Sequence, residues 1–301
     1  MSILWTCRQQ YSQLIVRHLT SQIIRPIIMG NLFTKNRKPP YPGTTDVYRT
    51  AVSNEKIPWN VDWPDYEPTE YTSEKVLQNP PWADDPNAKK IKNYNALDGQ
   101  IDRRSFTGKY EIDQETNRPK NPRGRTGLSG RGLLGRWGPN HAGDSIITRW
   151  SKDQYGSKQK VLEILLITRK DTGSLALPGG MIDPGEQASA AIKREFIEEA
   201  MNSNPDAAAK IEDLFQLATS AYKGYVDDPR NTDNSWMETE AMNMHDETGE
   251  LTKGLQLEAG DDASHVKWVR LDRHYKLHGS HESIIQMVIK QLEAYEYWSD
   301  N

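Results

Sequence analysis

The stretch from Leu177 to Met201 constrains this chain more than any other. It opens on Leu177-Pro178-Gly179-Gly180, turns again at Pro184-Gly185, then runs from Ala188 to Ala200 without Pro or Gly. Clustered Pro and Gly mark sharp turns where backbone can approach a ligand. The helix-forming run that follows predicts a helix over 188–200. On that helix Glu195, Glu198 and Glu199 stand at i, i+3 and i+4, within one narrow sector. Ile192, Phe196 and Ala200 form the neighbouring apolar row, which predicts a seat on a sheet. Three crowded carboxylates repel one another unless cations neutralise them, and oxygen-only donors select Mg2+ or Mn2+ over zinc. Arg194 and Glu186 are spaced to pair and tie the loop to the helix. The carboxylate triplet alone also reads as an ordinary solvated helix face; the glycine turn at fixed spacing favours a metal site.

Around this stretch the pattern alternates. Strands are predicted at 146–150, 161–167, 221–226, 236–242 and 266–269. Ile285, Val288, Leu292 and Tyr295 repeat at helical spacing and predict an amphipathic C-terminal helix packed on the core. Strands separated by isolated helices imply an α/β or α+β sandwich. Residues 39–86 differ: nine of the seventeen prolines fall there, among Trp59, Trp63, Tyr66, Tyr71 and Trp82. Proline removes donors and breaks helices, so this part should be extended and irregular, anchored by aromatic side chains. Residues 123–138 interleave Gly with Arg, either as an RNA- or phosphate-gripping loop or as a connector whose arginines pair with the rest of the chain. The connector is the favoured reading, because Leu and Trp anchor so short a stretch.

Charge bears on partners. Residues 1–38 carry six bases and no acid, which leaves 32 basic against 42 acidic residues, a net −10, in the remainder. So acidic a body is a poor general binder of nucleic acid, where phosphate contacts dominate affinity. The first 38 residues are amphipathic, Arg-bearing and acid-free, which predicts a mitochondrial transit peptide, with a docked amphipathic arm as the alternative. Met29-Gly30-Asn31-Leu32-Phe33-Thr34 also matches a myristoylation signal, relevant only if translation begins at Met29, which would point to the cytosol. The single cysteine, Cys7, excludes internal disulfides and Cys-based zinc sites. No uncharged apolar run approaches the roughly 18–20 residues of a membrane span, so a soluble, intracellular protein without stable membrane insertion is expected.

Gly180, Glu186, Arg194, Glu195, Phe196, Glu198 and Glu199 match the Nudix box, G-x5-E-x7-R-E-U-x-E-E-x-G-U with U a bulky apolar residue. Met201 departs from it, standing where the box has Gly and leaving the helix end open. The runs Gly130–His141 and Tyr222–Asn234 further resemble the ADP-ribose pyrophosphatase branch of the Nudix family and the ADP-ribose-binding domain of melastatin-type channels. That resemblance implies an α/β class fold, a Nudix α/β/α sandwich at 139–301, preceded by a smaller irregular N-terminal domain at 39–138. It implies hydrolysis of ADP-ribose to AMP and ribose 5-phosphate by a monomer. Mg2+, or Mn2+, would sit on Glu195, Glu198 and Glu199, with Glu186 and Arg194 behind them. The general base stays open among Glu258, Asp261 and Asp262. Asn140, Leu177, Gly180, Asp228, Arg230 and Ser280 are the implied substrate contacts, with Arg230 on phosphate and Asp228 on ribose hydroxyls. The alternative for Asp227–Asn231 is a polar turn with internal salt bridges. His278 stands where an aromatic Tyr is expected, and His141 and His281 read as structural. Two rival functions remain: a binding-only ADP-ribose sensor, against which the intact carboxylates argue, and an RNA-binding or decapping protein, against which the acidic body argues.

Overall fold

Two consecutive isoleucines organise the molecule. Ile146 and Ile147 are both fully buried, and strand geometry sends them to opposite faces. Ile146 enters a core with Ile164, Leu166, Ile285 and Ile289; Ile147 enters a second core with Leu165, Phe196, Ala200 and Met244. A continuous apolar run in a strand signals burial on both faces, and each fully buried aliphatic side chain contributes about 1.5–3 kcal/mol.

The computed structural model describes residues 40–151, 160–201, 211–253, 255, 257–260, 262–273 and 275–295. The expectations placed on residues 1–38, and Asp261, lie outside them. In the N-terminal part, β1 (Thr69–Thr72) leads into the short helix α1 (Glu74–Leu77), followed by the hairpin of β2 (Leu97–Asp98) and β3 (Ile101–Asp102) and by β4 (Leu128–Gly132), which pairs in parallel with β1. The rest builds one mixed seven-stranded sheet. Its strands are β5 (Gly138–Trp150), β6 (Leu162–Arg169), β7 (Leu175–Ala176), β8 (Gly179–Met181), β9 (Thr219–Tyr225), β10 (Ser235–Asp246) and β11 (Ala263–Arg270). The main order is β11-β6-β5-β10-β9, with β7 on β6 and β8 on β5. Helix α2 (Ala188–Met201) covers the Ile147 face, α3 (Glu250–Lys253) follows β10, and α4 (His281–Gln291) covers the Ile146 face. Helices on both faces of a mixed sheet make an α/β/α sandwich. Among the described residues no helix is long and apolar enough to cross a membrane.

The structure lengthens β5 well beyond its apolar stretch. Residues 138–145, Gly-Pro-Asn-His-Ala-Gly-Asp-Ser, carry no strand-like pattern, yet they pair in parallel with β10 from Ser235↔Gly138 onward. Partner strands override weak propensity here. The C-terminal helix is shorter than its apolar spacing predicts. It ends at Gln291, Glu293 takes a positive φ of 50°, and the Tyr295 N–H donates to the Lys160 carbonyl instead.

The Gly/Arg stretch turns Arg125, Arg131 and Arg136 inward and leaves Arg123 exposed. Arg125 lies over the rings of Trp59, Trp63 and Tyr66 and donates to the carbonyls of Lys56, Pro58 and Val61. Arg131 is fully buried against Trp137 and donates to the Asp84 and Gly135 carbonyls. Arg136 pairs with Asp84 at 3.0 Å. Asp84 is the hub: its buried carboxylate also accepts both terminal nitrogens of Arg103, at 2.7 and 3.0 Å, and the Trp137 N–H at 2.8 Å. The two arginines hold its carboxyl below the usual range against the opposing effect of burial. Replacing Asp84 by Ala strands the Arg103 and Arg136 charges and is expected to cost about 3–5 kcal/mol; urea denaturation should register this as a lower midpoint, and an unchanged midpoint would contradict it.

Candidate active site

The turn between β7 and β8 lies where the sheet divides. β5 pairs with β6 through Thr148–Trp150 and with β8 through Ala142–Asp144. Between those two ladders the Ser145 N–H and hydroxyl both reach the Pro178 carbonyl, at 2.9 and 3.1 Å. Space then demands the glycines. A Cβ on Gly179 would lie 2.4 Å from the Gly143 carbonyl oxygen, and one on Gly180 would lie 2.3 Å from the Glu195 carboxyl carbon.

Helix α2 packs on the sheet through the row of Ala191, Ile192, Phe196 and Ala200, all buried. Its other row meets the glycines. The Gly179 N–H donates to Glu199 Oε2 at 2.9 Å, and Glu195 lies against Gly180. The three carboxylates are unequally placed: Glu199 is 7% exposed and the Glu198 side chain 47%. Burial pushes Glu199 up to about 7, with the Glu195 and Asp262 charges adding to it and the Gly179 N–H and Arg169 opposing. Burial also raises Glu195, against the pull of Arg194.

Arg194 ties loop and helix together. Its Nε and Nη2 donate to the two Glu186 oxygens at 3.0 and 2.9 Å, and Nη2 reaches the Met181 carbonyl at 3.1 Å. Its Nη1 donates to Glu195 Oε1 at 2.8 Å and Glu198 Oε2 at 3.2 Å. Glu186 in turn accepts the Asp183 N–H. Because Arg194 holds Glu195 and Glu198 while Glu199 turns to Gly179, no three such side chains converge on one point among the described residues. Glu195 and Glu199 are the pair facing the glycine turn.

The helix end left open by Met201 is closed from elsewhere. The Glu258 N–H donates to the Ala200 carbonyl and the Gly260 N–H to the Glu199 carbonyl, at 2.9 and 3.1 Å. This satisfies carbonyls that a helix C-terminus leaves orphaned and brings Asp262 near Glu199. Of the candidate bases, Asp262 lines the cleft, whereas Glu258 lies behind the helix end and does not.

The cleft has a volume of about 1020 Å³ and runs from the carboxylates past Asp228, Arg230 and Ser280 on one side and the β2–β3 hairpin on the other. Leu177 and Gly180 line it. Arg230 grips Asp228 through Nε and Nη2, each at 2.8 Å, and the Arg230 N–H adds a third bond at 2.8 Å. The polar turn and the cleft-lining pair are thus the same object. The Ser280 hydroxyl accepts the Asp227 N–H at 3.2 Å. The Leu177 N–H donates to His281 Nδ1 at 2.9 Å, which fixes that ring nitrogen as an acceptor. Asn140 also touches the cleft, but its amide is committed to the turn before β5: it accepts the Arg136 N–H and donates to the Arg136 and Gly138 carbonyls and Ser235. Sequence reasoning missed Arg169, at the end of β6, and the hairpin wall with Gln100, Arg104 and Phe106. Gln100 accepts the Gly185 N–H at 2.8 Å, a contact 85 residues apart that no local pattern signals.

A glycine turn locked to a carboxylate helix, with an arginine between them, defines a class of phosphoanhydride-cleaving proteins. Family models match the "NUDT9-like, N-terminal domain" over residues 52–138 and the "NUDIX domain" over 154–288. The chain belongs to the Nudix family. It is 50% identical over 291 residues to the mitochondrial ADP-ribose pyrophosphatase of Rattus norvegicus, across 91% of this chain and 82% of that protein. It is 45% identical over 286 residues to a transient receptor potential channel, subfamily M member-like 2, of Nematostella vectensis, and 37% over 273 to subfamily M member 2 of Mus musculus. Those matches span 18% and 17% of the channels' lengths.

Raised affinity of Glu199 for a proton has a stability consequence. Between its ordinary value of 4.5 and about 7 the folded protein keeps a proton that the unfolded chain has released. Stability from this group is therefore full below pH 4.5, falls as pH rises to 7, and is flat above. Urea melts of metal-free protein should show wild type losing on the order of 3 kcal/mol relative to Glu199→Gln across that window; parallel curves for the two proteins would refute it.

Proposed function

We infer that this chain hydrolyses ADP-ribose to AMP and ribose 5-phosphate, using Mg2+ or, in its place, Mn2+. The observation that carries this reading is one cleft that joins the Glu195–Glu199 helix and its glycine turn to the Asp228–Arg230 pair. The 50% identity to an ADP-ribose pyrophosphatase supports the substrate.

The donors fit a hard divalent ion. Glu195 and Glu199 are carboxylates desolvated beside one another, and burial makes each favour a bound cation or proton. Glu195 and Glu199, with Glu198 once it is released from Arg194, would hold the ion, and when bound it would neutralise the diphosphate and make water a better nucleophile. Glu186 and Arg194 hold the loop and orient the carboxylates; loss of such supporting partners costs about 10–100-fold. Asp262, lining the cleft, is the residue we assign to accept the proton of the attacking water, with Glu258 and Asp261 the alternatives. Arg230 binds phosphate and Asp228 accepts from ribose hydroxyls, each from a partner already oriented by the other. Leu177, Gly180 and Ser280 complete the walls; Asn140 contributes through the turn it holds.

The protein acts as a monomer in mitochondria, delivered there by residues 1–38. Inward-facing arginines of the Gly/Arg stretch support a reading without nucleic acid.

The test is chromatography of ADP-ribose incubated with purified protein, with Mg2+ or EDTA, beside Glu198→Gln. Expected are AMP and ribose 5-phosphate with Mg2+, none with EDTA, and a loss of at least about 100-fold in the variant. Tight ADP-ribose binding without turnover would overturn the catalytic reading in favour of a sensor.

A further inference from the structure

The loop that carries Asp228 and Arg230 is held from outside the Nudix domain. Three consecutive carbonyls, those of Pro229, Arg230 and Asn231, accept hydrogen bonds from two side chains near the start of the described chain. The Tyr41 hydroxyl donates to the Arg230 carbonyl at 2.7 Å, and Arg49 Nη2 donates to those of Pro229 and Asn231, each at 2.8 Å. Both holders are themselves fixed. Tyr41 is fully buried, its hydroxyl accepts the Leu133 N–H at 3.0 Å, and its ring meets Tyr71 edge-on. The Arg49 guanidinium lies 5.2 Å from the Tyr41 ring centroid, and its Nη1 reaches the Thr126 carbonyl at 3.3 Å.

The opposite side of the loop is held by Asn231. Its amide donates to the Tyr225 hydroxyl and the Val226 carbonyl and accepts the Met237 N–H. Those bonds anchor the loop to β9 and β10 but leave the Pro229 and Arg230 carbonyls to Tyr41 and Arg49. A side chain displaced by about an ångström can lose most of its contribution to orienting a substrate.

We propose that Tyr41 and Arg49 are positioning residues for substrate binding: by holding three successive carbonyls of the 229–231 loop they set where Asp228 and Arg230 stand in the cleft. This rests on the assignment of Asp228 and Arg230 to the substrate. Neither Tyr41 nor Arg49 contacts the reacting atoms; they act through the loop, on KM and hardly on kcat.

Steady-state kinetics with ADP-ribose and Mg2+ on Tyr41→Phe and Arg49→Met test it. Tyr41→Phe keeps the ring and its packing and removes only the hydroxyl. Each variant should raise KM about 10-fold with kcat within about twofold, and Arg49→Lys should recover part of the loss. The deciding measurement repeats Tyr41→Phe in an Asp228→Asn/Arg230→Ala background, where its effect on KM should vanish because it acts through those two side chains. An equal effect in both backgrounds, or a fall in melting temperature with KM unchanged, overturns the proposal and leaves Tyr41 structural. Arg230→Ala and Asp228→Asn alone separate the two readings. If neither raises KM, the substrate assignment fails; if they do and Tyr41→Phe and Arg49→Met do not, the positioning role fails. Should Arg49→Met not fold, faster hydrogen exchange of the 226–232 amides in Tyr41→Phe is the expected supporting result, and unchanged exchange the overturning one.

Discussion

Parallel pairing of β5 with β10 over twelve residues is the constraint from which the other features hang. Parallel neighbours need a long crossover, and here the glycine turn and helix α2 lie in the chain between them. The upper half of the pair, through Ile146 and Ile147, separates the two cores. Its lower half is poor in apolar residues on β5 and serves as a frame, with Trp236 and Met237 of β10 buried beside it. β8 docks on Ala142–Asp144, and the Thr239 hydroxyl donates to Asp144 across the pair at 2.6 Å. Where the pair begins, Trp137 meets Asp84 and Thr232–Ser235 meet the Gly/Arg stretch. Cores, catalytic turn and substrate loop are thereby set in one coordinate frame.

Electrostatics at the site runs against folding and in favour of chemistry. Burying Glu195 and Glu199 together costs free energy, seen in the raised proton affinity of both. Arg194 offsets part of it and distributes its five donors over Glu186, Glu195, Glu198 and the Met181 carbonyl. The sandwich supplies the remainder through the apolar row on the other side of α2. Perturbed carboxylates that persist in a cleft against such a cost mark functional sites.

The N-terminal part is more than an appendage to that frame. Its prolines and aromatics form little regular structure, as their chemistry predicts, and yet they provide the Asp84 hub, the ring cage around Arg125 and one wall of the cleft. Arginines that look basic and solvent-seeking in the sequence are buried against aromatic faces and donate to backbone carbonyls.

Local chemistry made much of this legible in advance. The Pro/Gly turn, the helix with Glu195, Glu198 and Glu199 on one sector, the Arg194–Glu186 pairing and the strands at 146–150 and 161–167 all depend on residues close in the chain, and short-range periodicity reports such relations. Three things depended on distant residues and were decided only by tertiary structure. Strand β5 extends through Gly138–Ser145 because β10 pairs with it. The C-terminal end of α2 closes on residues 258–260 rather than on a glycine of its own. Arg194 occupies Glu195 and Glu198, so the carboxylates share a sector without converging on a point. Sequence determines which groups can share a face; which partner each group takes is settled by hydrogen-bond satisfaction and burial across the whole fold.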